Sequence, residues 1–379
     1  MRGSTAGFVG TISGQPHSDS PLLQWADVLF SSAVVSPASI AYWKSTWTLM
    51  DLYIYPEDPL LNAAVCTAFG MCFSVFLCFF QFHLSKYISP DRGRVTYYVL
   101  SRLYSCVAGV TCIAAVKGVW NLMDECSGDG VSSVMWTTAA AILALAALRT
   151  LRNICAIPFV VVIDSPRDHF DVPTFFRKST RETMLFILDC IFSVVVVGWL
   201  VICVWRGVWA MSDWLFYPED QLKSLIASLV LGYGITILTF GLEAPMRWAA
   251  TKLDGAPKLL LADLYNLVSF VATINVWRGY WIFLDDYFFP EYPEIANWAT
   301  HFVSLVVLVL LNCFNTVLVR GVYFDAEEPE DECMVFPCHY IRIYYHRRKM
   351  RKKFRNAINN AEKNKLQESS VPLQIDVEK

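Results

Sequence analysis

A nine-residue motif that recurs four times constrains this chain more than any other feature of its sequence. The pattern is Trp, a basic residue, a small residue, any residue, Trp, and then Asp four residues later. The copies end at Asp51, Asp124, Asp213 and Asp285, and the second copy lacks the first Trp. The first and third copies lie 162 residues apart, and the second and fourth lie 161 residues apart. This spacing predicts a duplicated half, with each half itself duplicated.

The apolar content of the chain is typical of a membrane protein. Of its 379 residues, 55% are hydrophobic and 17% are charged, whereas soluble proteins carry about 25% charged residues. Several apolar runs reach the roughly 20 residues that a helix needs to cross a bilayer. We therefore predict an all-α polytopic membrane protein whose eight transmembrane helices form four parallel two-helix repeats. The predicted spans are 26–50, 60–82, 96–122, 131–151, 184–211, 222–243, 259–284 and 296–319.

The distribution of Lys and Arg predicts the orientation of these spans. The loops at 83–95, 149–183 and 244–258 hold twelve positive charges, and the loops on the other side hold only Lys223. Because cytoplasmic loops carry the excess of basic residues, both termini are predicted to be cytoplasmic and every motif copy to face out.

The same pattern divides the chain into five parts and predicts which helices lie inside. Odd-numbered spans carry the charged residues and are expected to lie inside, with the apolar even-numbered spans against lipid. The parts are a disordered cytoplasmic tail (1–24), the first membrane half (25–155), a cytoplasmic linker (156–183), the second membrane half (184–320) and a cytoplasmic acidic and basic tail (321–379).

The charges of the motif leave two roles open. The base and the Asp of each copy are seven residues apart, on one helix face. An unpaired charge within the membrane costs ~2.5 kcal/mol or more, so the bases are expected to point inward and pair, for example with the Asp of a neighbouring copy. The set is either architectural or the lining of a vestibule for an anion or polar solute. Its members are Lys44, Asp51, Lys117, Asp124, Arg206, Asp213, Arg278 and Asp285.

The tryptophans of the motif are predicted to lie in the aromatic belt at the membrane interface, where amphipathic rings concentrate. In each complete copy the two rings are four residues apart and so share one helix face. They are Trp43, Trp47, Trp120, Trp205, Trp209, Trp277 and Trp281.

A second set of charges, Asp27, Arg102, Asp189 and Asp263, lies near the predicted cytoplasmic ends and follows the same repeat spacing. These residues are either a site, as intramembrane ionisable residues often are, or hydrated helix ends. The sequence contains no catalytic constellation, phosphate loop or metal-spaced cluster. We therefore expect no enzyme activity, no cofactor or metal, and no nucleic-acid partner.

The C-terminal tail carries a basic run with interleaved apolar residues. Residues 340–358 are predicted to form a basic amphipathic helix that binds anionic lipid or calmodulin, the alternative being a solvated basic stretch. Cys333 and Cys338, next to the membrane, are candidates for palmitoylation. The basic residues are Arg347, Arg348, Lys349, Arg351, Lys352, Lys353 and Arg355.

Eight spans, cytoplasmic termini and outward motifs, most clearly at 205–220 and 277–291, together resemble the Fuseless family of animal presynaptic membrane proteins. The resemblance implies a neuronal plasma-membrane protein of the presynaptic active zone. Such proteins are needed for evoked neurotransmitter release and for placing voltage-gated calcium channels, so calcium channels or scaffold proteins are the expected partners. The alternative function is a transporter or channel for a small anion or polar solute, with a central charged vestibule.

Overall fold

The computed structural model describes residues 21–127, 130–166, 168–328 and 332–369. The predicted N-terminal tail up to residue 20, Arg167 and the last ten residues of the chain lie outside the described residues. Within the described part, every regular element is a helix.

Ten helices make up the described part of the fold. The first and fifth each contain a π-helical turn, at Ser31–Val35 and Phe192–Val197, and the eighth ends in one at Phe283–Tyr287. The helices are α1 (21–53), α2 (Pro59–Tyr87), α3 (Arg94–Ser127), α4 (Val131–Ala147), α5 (Thr183–Leu215), α6 (Gln221–Gly241), α7 (Glu243–Ala250), α8 (Ala256–Tyr287), α9 (Pro293–Leu310) and α10 (Tyr340–Ser369).

Six of these helices, α2, α3, α5, α6, α8 and α9, are long and apolar enough to cross a membrane, and α4 is a shorter apolar helix. The chain is therefore a multi-pass membrane protein. Two predicted boundaries are wrong: the fourth span ends at Ala147 rather than 151, and the last ends at Leu310 rather than 319. The physical reason is that Arg149 and Asn312, with φ of 57° and 56°, turn the chain out of the helix in the left-handed region.

The helices that carry the motif form the inside of the bundle. We call α1, α3, α5 and α8 the inner helices and α2, α4, α6 and α9 the outer helices. In the most apolar stretch of each inner helix, the buried share of residues is 61% in α3, 44% in α5 and 61% in α8. In the outer helices it is 28% in α2, 33% in α6 and 17% in α9. This difference matches the predicted division. The outer helices α2, α4, α6 and α9 pack chiefly on α3, α5, α8 and α1 respectively, which closes a ring.

The small residue after each base allows these helix pairs to approach closely. A Cβ on Gly118 would lie 2.2 Å from the backbone nitrogen of Thr67, and a Cβ on Gly207 would lie 1.6 Å from Thr138 Oγ1. Close backbone contact at small residues is the usual means of helix association in membranes.

Two chain segments after α4 and α9 turn back into the bundle. We call residues 149–165 the first buried segment and residues 312–325 the second buried segment. Each begins at a left-handed residue and continues as a short 3-10 helix, Leu151–Ile154 or Phe314–Val317. From residue 150 to residue 165 every side chain is buried. Most of these residues were expected in a linker, a helix end or a tail, and their burial was not predicted.

The two buried segments hold each other through matching hydrogen bonds. The carboxylate of Asp325 accepts from the backbone N–H groups of Leu151 and Arg152, both at 2.7 Å. The carboxylate of Asp164 accepts from those of Phe314 and Asn315, at 3.2 and 2.9 Å. Each aspartate thus caps the 3-10 helix of the other segment, where unpaired N–H groups would otherwise be buried.

Helix packing predicts opposite effects for two glycines of α6. A Cβ on Gly232 would lie 2.7 Å from the backbone nitrogen of Val276, whereas a Cβ on Gly234 meets nothing within 4 Å. Gly232→Ala should destabilise the protein by about 1–3 kcal/mol through overpacking. Gly234→Ala should be neutral or stabilising, since Ala is the better helix former. Equilibrium unfolding in mixed micelles measures both variants, and equal behaviour of the two would contradict the packing.

Candidate functional site

The four motif bases and four motif aspartates form a closed ring of ion pairs, which we call the charge ring. Each base contacts the aspartate of the preceding copy, and the base of the first copy contacts the aspartate of the last. The nitrogen–oxygen distances are between 2.5 and 2.7 Å. The pairs are Lys44–Asp285, Lys117–Asp51, Arg206–Asp124 and Arg278–Asp213. This is the pairing between neighbouring copies that the motif spacing suggested.

The two members of each pair lie in different surroundings. The base side chains are between 0 and 5% exposed, whereas the aspartates are between 45 and 49% exposed. The bases are thus held inside the bundle and the aspartates stand at its rim. Because a buried charge without a partner is costly, each aspartate supplies the countercharge that its base requires.

The outer helices add hydrogen-bond partners for three of the four bases. Lys117 Nζ donates to Asn62 of α2, and Lys44 Nζ donates to Asn297 of α9 at 3.3 Å. Arg278 donates to the hydroxyls of Ser224 and Ser228 of α6, at 2.7 and 2.6 Å. These polar residues were not predicted as partners of the bases, although a polar residue in an apolar span is itself a signal for a buried partner.

The motif tryptophans form two layers inside the charge ring. The outer tryptophan ring consists of Trp47, Trp120, Trp209 and Trp281. Each indole stands at 84–89° to its two neighbours in a closed cycle, with ring centroids 5.5–5.9 Å apart. This is the edge-to-face geometry that aromatic quadrupoles favour.

The deep tryptophans are Trp43, Trp205 and Trp277. Trp277 packs edge-to-face on the other two, at 5.6 and 5.2 Å. Each donates its indole N–H to a backbone carbonyl of a buried segment: Trp43 to Val317 at 2.9 Å, Trp205 to Ile154 at 3.0 Å, and Trp277 to Ile157 at 3.0 Å. The deep tryptophans therefore join the inner helices to both buried segments.

The interface belt predicted for these tryptophans is wrong for the three deep ones. The deep tryptophans are at most 4% exposed, whereas the rings of the outer layer are half-buried and contact one another. The reason is that the motif face of every inner helix points toward the other inner helices, where paired charges and indoles satisfy one another.

The comparisons with known proteins agree with the resemblance drawn from the motif. The family model described as Fuseless matches residues 22–318, which is most of the chain. The chain belongs to the Fuseless family. No curated protein and no solved structure matches it.

The inner charges of this Fuseless-family chain do not form one site. Each instead binds a different segment at that end of the bundle. Arg102 pairs with Asp164 at 2.6 Å, Asp27 pairs with Arg342 at 2.6 Å, and Asp189 accepts from the hydroxyl of Thr174 at 2.7 Å. Asp263 is buried beside Asp325. These charges therefore attach the buried segments, the connection before α5 and α10 to the bundle.

His169 lies in a polar cluster at the same end. Its ring contacts the hydroxyl of Ser105 at 3.0 Å, the carbonyl of Ser101 at 3.0 Å and the amide of Asn315 at 3.2 Å. Burial, together with the positive charge of Arg320, lowers the pKa of His169 to about 3. The imidazole is therefore neutral at physiological pH.

The tail begins with a docked turn and continues as an exposed helix. Tyr340 stacks on Phe30 with ring centroids 4.5 Å apart, and Arg342 forms its ion pair with Asp27. From residue 348 to residue 355 every side chain of α10 is exposed, including six of the seven predicted basic residues, and Arg347 is half-buried. Cys333 and Cys338 are buried, at 8% and 1% exposure, which does not favour their acylation.

The described residues contain no group of three or more His, Cys, Asp and Glu side chains that could hold a metal ion. The arrangement of charges and indoles can instead bind helices together and close the space between them.

Removing one aspartate of the charge ring should destabilise the protein. Asp285→Asn leaves Lys44 without its countercharge. We expect the free energy of unfolding to fall by about 2–3 kcal/mol. Breaking a fully buried pair costs about 3–5 kcal/mol, and the partial exposure of Asp285 keeps the cost at or below that range. Asp286→Asn, at an exposed neighbour that makes no ion pair within the described residues, is the matched control. Exchange of the charges, Lys44→Asp with Asp285→Lys, should recover part of the loss. Equal unfolding midpoints for the two single variants would refute the role of the pair.

The neutral imidazole of His169 predicts a pH dependence of stability. In the unfolded chain its pKa is about 6.5, and in the folded protein it is about 3. At pH values between these two pKa values, the unfolded chain binds more protons than the folded protein does. The contribution of His169 to the free energy of unfolding is therefore fully present above pH 6.5 and is lost as the pH falls toward 3. His169→Gln should flatten this dependence, while His83→Gln, at an exposed position of α2, should leave it unchanged. Unfolding free energies measured across this pH range test the difference.

Proposed function

We propose that this chain is a non-enzymatic multi-pass plasma-membrane protein of the presynaptic active zone, which supports neurotransmitter release and the localisation of voltage-gated calcium channels. We further propose that it crosses the membrane eight times, as four parallel two-helix repeats, with both termini cytoplasmic. The match to the Fuseless family over residues 22–318 carries this proposal, since presynaptic action is what the family resemblance implies.

The pairing of every motif base with an aspartate supports a structural role over transport. A vestibule for an anion needs basic side chains that are available to it. Here each motif base contacts an aspartate within 2.7 Å and is buried against an outer helix. A transported anion would have to compete with these ion pairs in a poorly solvated setting. The geometry therefore favours an organiser over the alternative transporter or channel.

The basic helix α10 is the part of the described chain best suited to a partner. Its exposed positive charges alternate with exposed apolar residues, among them Met350, Phe354 and Ile358, which lie on one helix face at intervals of four. A helix of this composition beside a membrane binds anionic lipid or a calmodulin-like groove. In the proposed function it contacts the cytoplasmic leaflet and holds the protein near a channel or scaffold.

Truncation after the docked turn tests the proposed function. Deletion of residues 344–379 keeps Arg342 and the buried Ile343, so the bundle should fold and reach the cell surface. In neurons that lack the endogenous protein, the truncated chain should fail to restore calcium-channel clusters at release sites, whereas the full chain should restore them. Channel imaging and evoked release measure the outcome.

A variant of the full chain separates charge from length. Replacement of the seven basic residues between positions 347 and 355 by Gln should reproduce the truncation, while Gln at Lys86, which is exposed near the end of α2, and at the exposed loop residue Lys252 should not. Normal calcium-channel clusters in neurons that express the truncated chain would show that the exposed part of α10 is not needed for clustering. Failure of the full chain to restore clusters would overturn the proposed function itself.

A further inference from the structure

A cavity of about 190 Å³ lies on the inside of the charge ring, between the two layers of tryptophans. The outer tryptophan ring and the deep tryptophans form most of its wall. The rest comes from Val116 of α3, Val201 and Ile202 of α5, and Val319 of the second buried segment. Among the described residues, no charged side chain lines this cavity, because the motif bases turn away from it into their ion pairs.

The cavity lies where the sequence breaks the repeat of the motif. The position before the base holds Trp43, Trp205 and Trp277 in three copies, but in the second copy it holds Val116. The outer tryptophan ring has four members in a closed cycle, whereas the deep layer has three and is open on the side of α3. Val116 itself is buried and faces the cavity. The space thus corresponds to the indole ring that the second motif copy lacks, which would have been the fourth member of the deep layer.

The walls of the cavity determine which molecules it accepts. The N–H groups of the deep tryptophans are already bonded to backbone carbonyls, so these rings present carbon and π surface. An anionic guest would lose its hydration without gaining a partner, which is costly. A cationic guest would meet the charge of the Lys117 ammonium, whose nitrogen already lies 6.0 Å from the centroid of the Trp47 ring. An apolar cavity of about 150 Å³ is enough to hold benzene, and edge-to-face contact with indoles adds stabilisation for an aromatic guest.

We propose that this cavity is a binding site for a small, neutral, planar aromatic molecule of one or two rings. The guest takes the place of the missing fourth indole of the deep layer. It contacts Val319 and the deep tryptophans, which hold the two buried segments, so its binding stabilises the folded bundle. This site is independent of the presynaptic role proposed above.

The test uses the purified full chain in nanodiscs with 5-fluoroindole as the probe. Fluorine NMR should show a saturable bound signal, and the unfolding temperature should rise with probe concentration. Val116→Trp fills the gap in the deep layer and should weaken binding by at least about tenfold, or 1.4 kcal/mol. Val230→Trp adds the same indole on the exposed side of α6 and should leave binding unchanged.

Partition of the probe into lipid gives a signal that does not saturate, so it is distinguished from binding. If Val116→Trp does not fold, Val116→Phe fills part of the same space and should weaken binding to a smaller extent. Absence of saturable binding to the wild-type chain would overturn the proposal. So would equal affinity in the wild type and in a folded Val116→Trp or Val116→Phe variant.

Discussion

Neutralising four buried cations is the constraint on which the rest of this structure depends. A lysine or arginine inside a membrane bundle persists only with a countercharge and with hydrogen-bond partners for its remaining protons. The charge ring supplies the first through aspartates at the rim. For Lys44, Lys117 and Arg278 the outer helices supply the second, through Asn297, Asn62 and the serines of α6. Both the order of the inner helices and their depth follow from these contacts.

Inside that ring, indoles and buried backbone satisfy one another. The outer tryptophan ring closes through edge-to-face contacts, the geometry that aromatic quadrupoles favour. The deep tryptophans donate instead to carbonyls of the two buried segments, whose polar backbone could not otherwise lie between apolar helices. Asp164 and Asp325 complete the arrangement by capping the opposite segment. The motif charges and the deep indoles are thus matched within the bundle, around the cavity that the tryptophans enclose.

The sequence predicted the parts of this arrangement that depend on periodicity. The motif placed the bases on inner helices beside the aspartates of neighbouring copies, as in the pair Lys117–Asp51. It did not predict the buried segments, because positive charges such as Arg152 were interpreted as marks of an exposed loop. Arg152 is buried and pairs with Glu328. The apolar run from Ile154 to Ile163 was the available signal, since it is too hydrophobic for a solvated linker and too short to cross a membrane.

Asp325 shows why such a role is hard to infer from local composition. It opens an acidic stretch that is typical of a solvated tail, yet it caps a 3-10 helix more than 170 residues earlier in the chain. Only the repeat spacing gives a hint, because Asp164 lies 161 residues before it, the interval that also separates Asp124 from Asp285.

The direction of the ion pairs has a consequence for how the chain assembles. Three of the four bases contact the aspartate of the copy before them, so the second, third and fourth copies find their partners as soon as they are made. The first copy is the exception, because its partners come last in the chain. Lys44 pairs with Asp285 of the fourth copy, and α1 packs chiefly on α9 among the outer helices. Until the last copy is in place, one lysine lacks its countercharge and one inner helix lacks its cover. The two halves therefore stabilise each other as one unit, and the ring closes only when the whole membrane part of the chain is present.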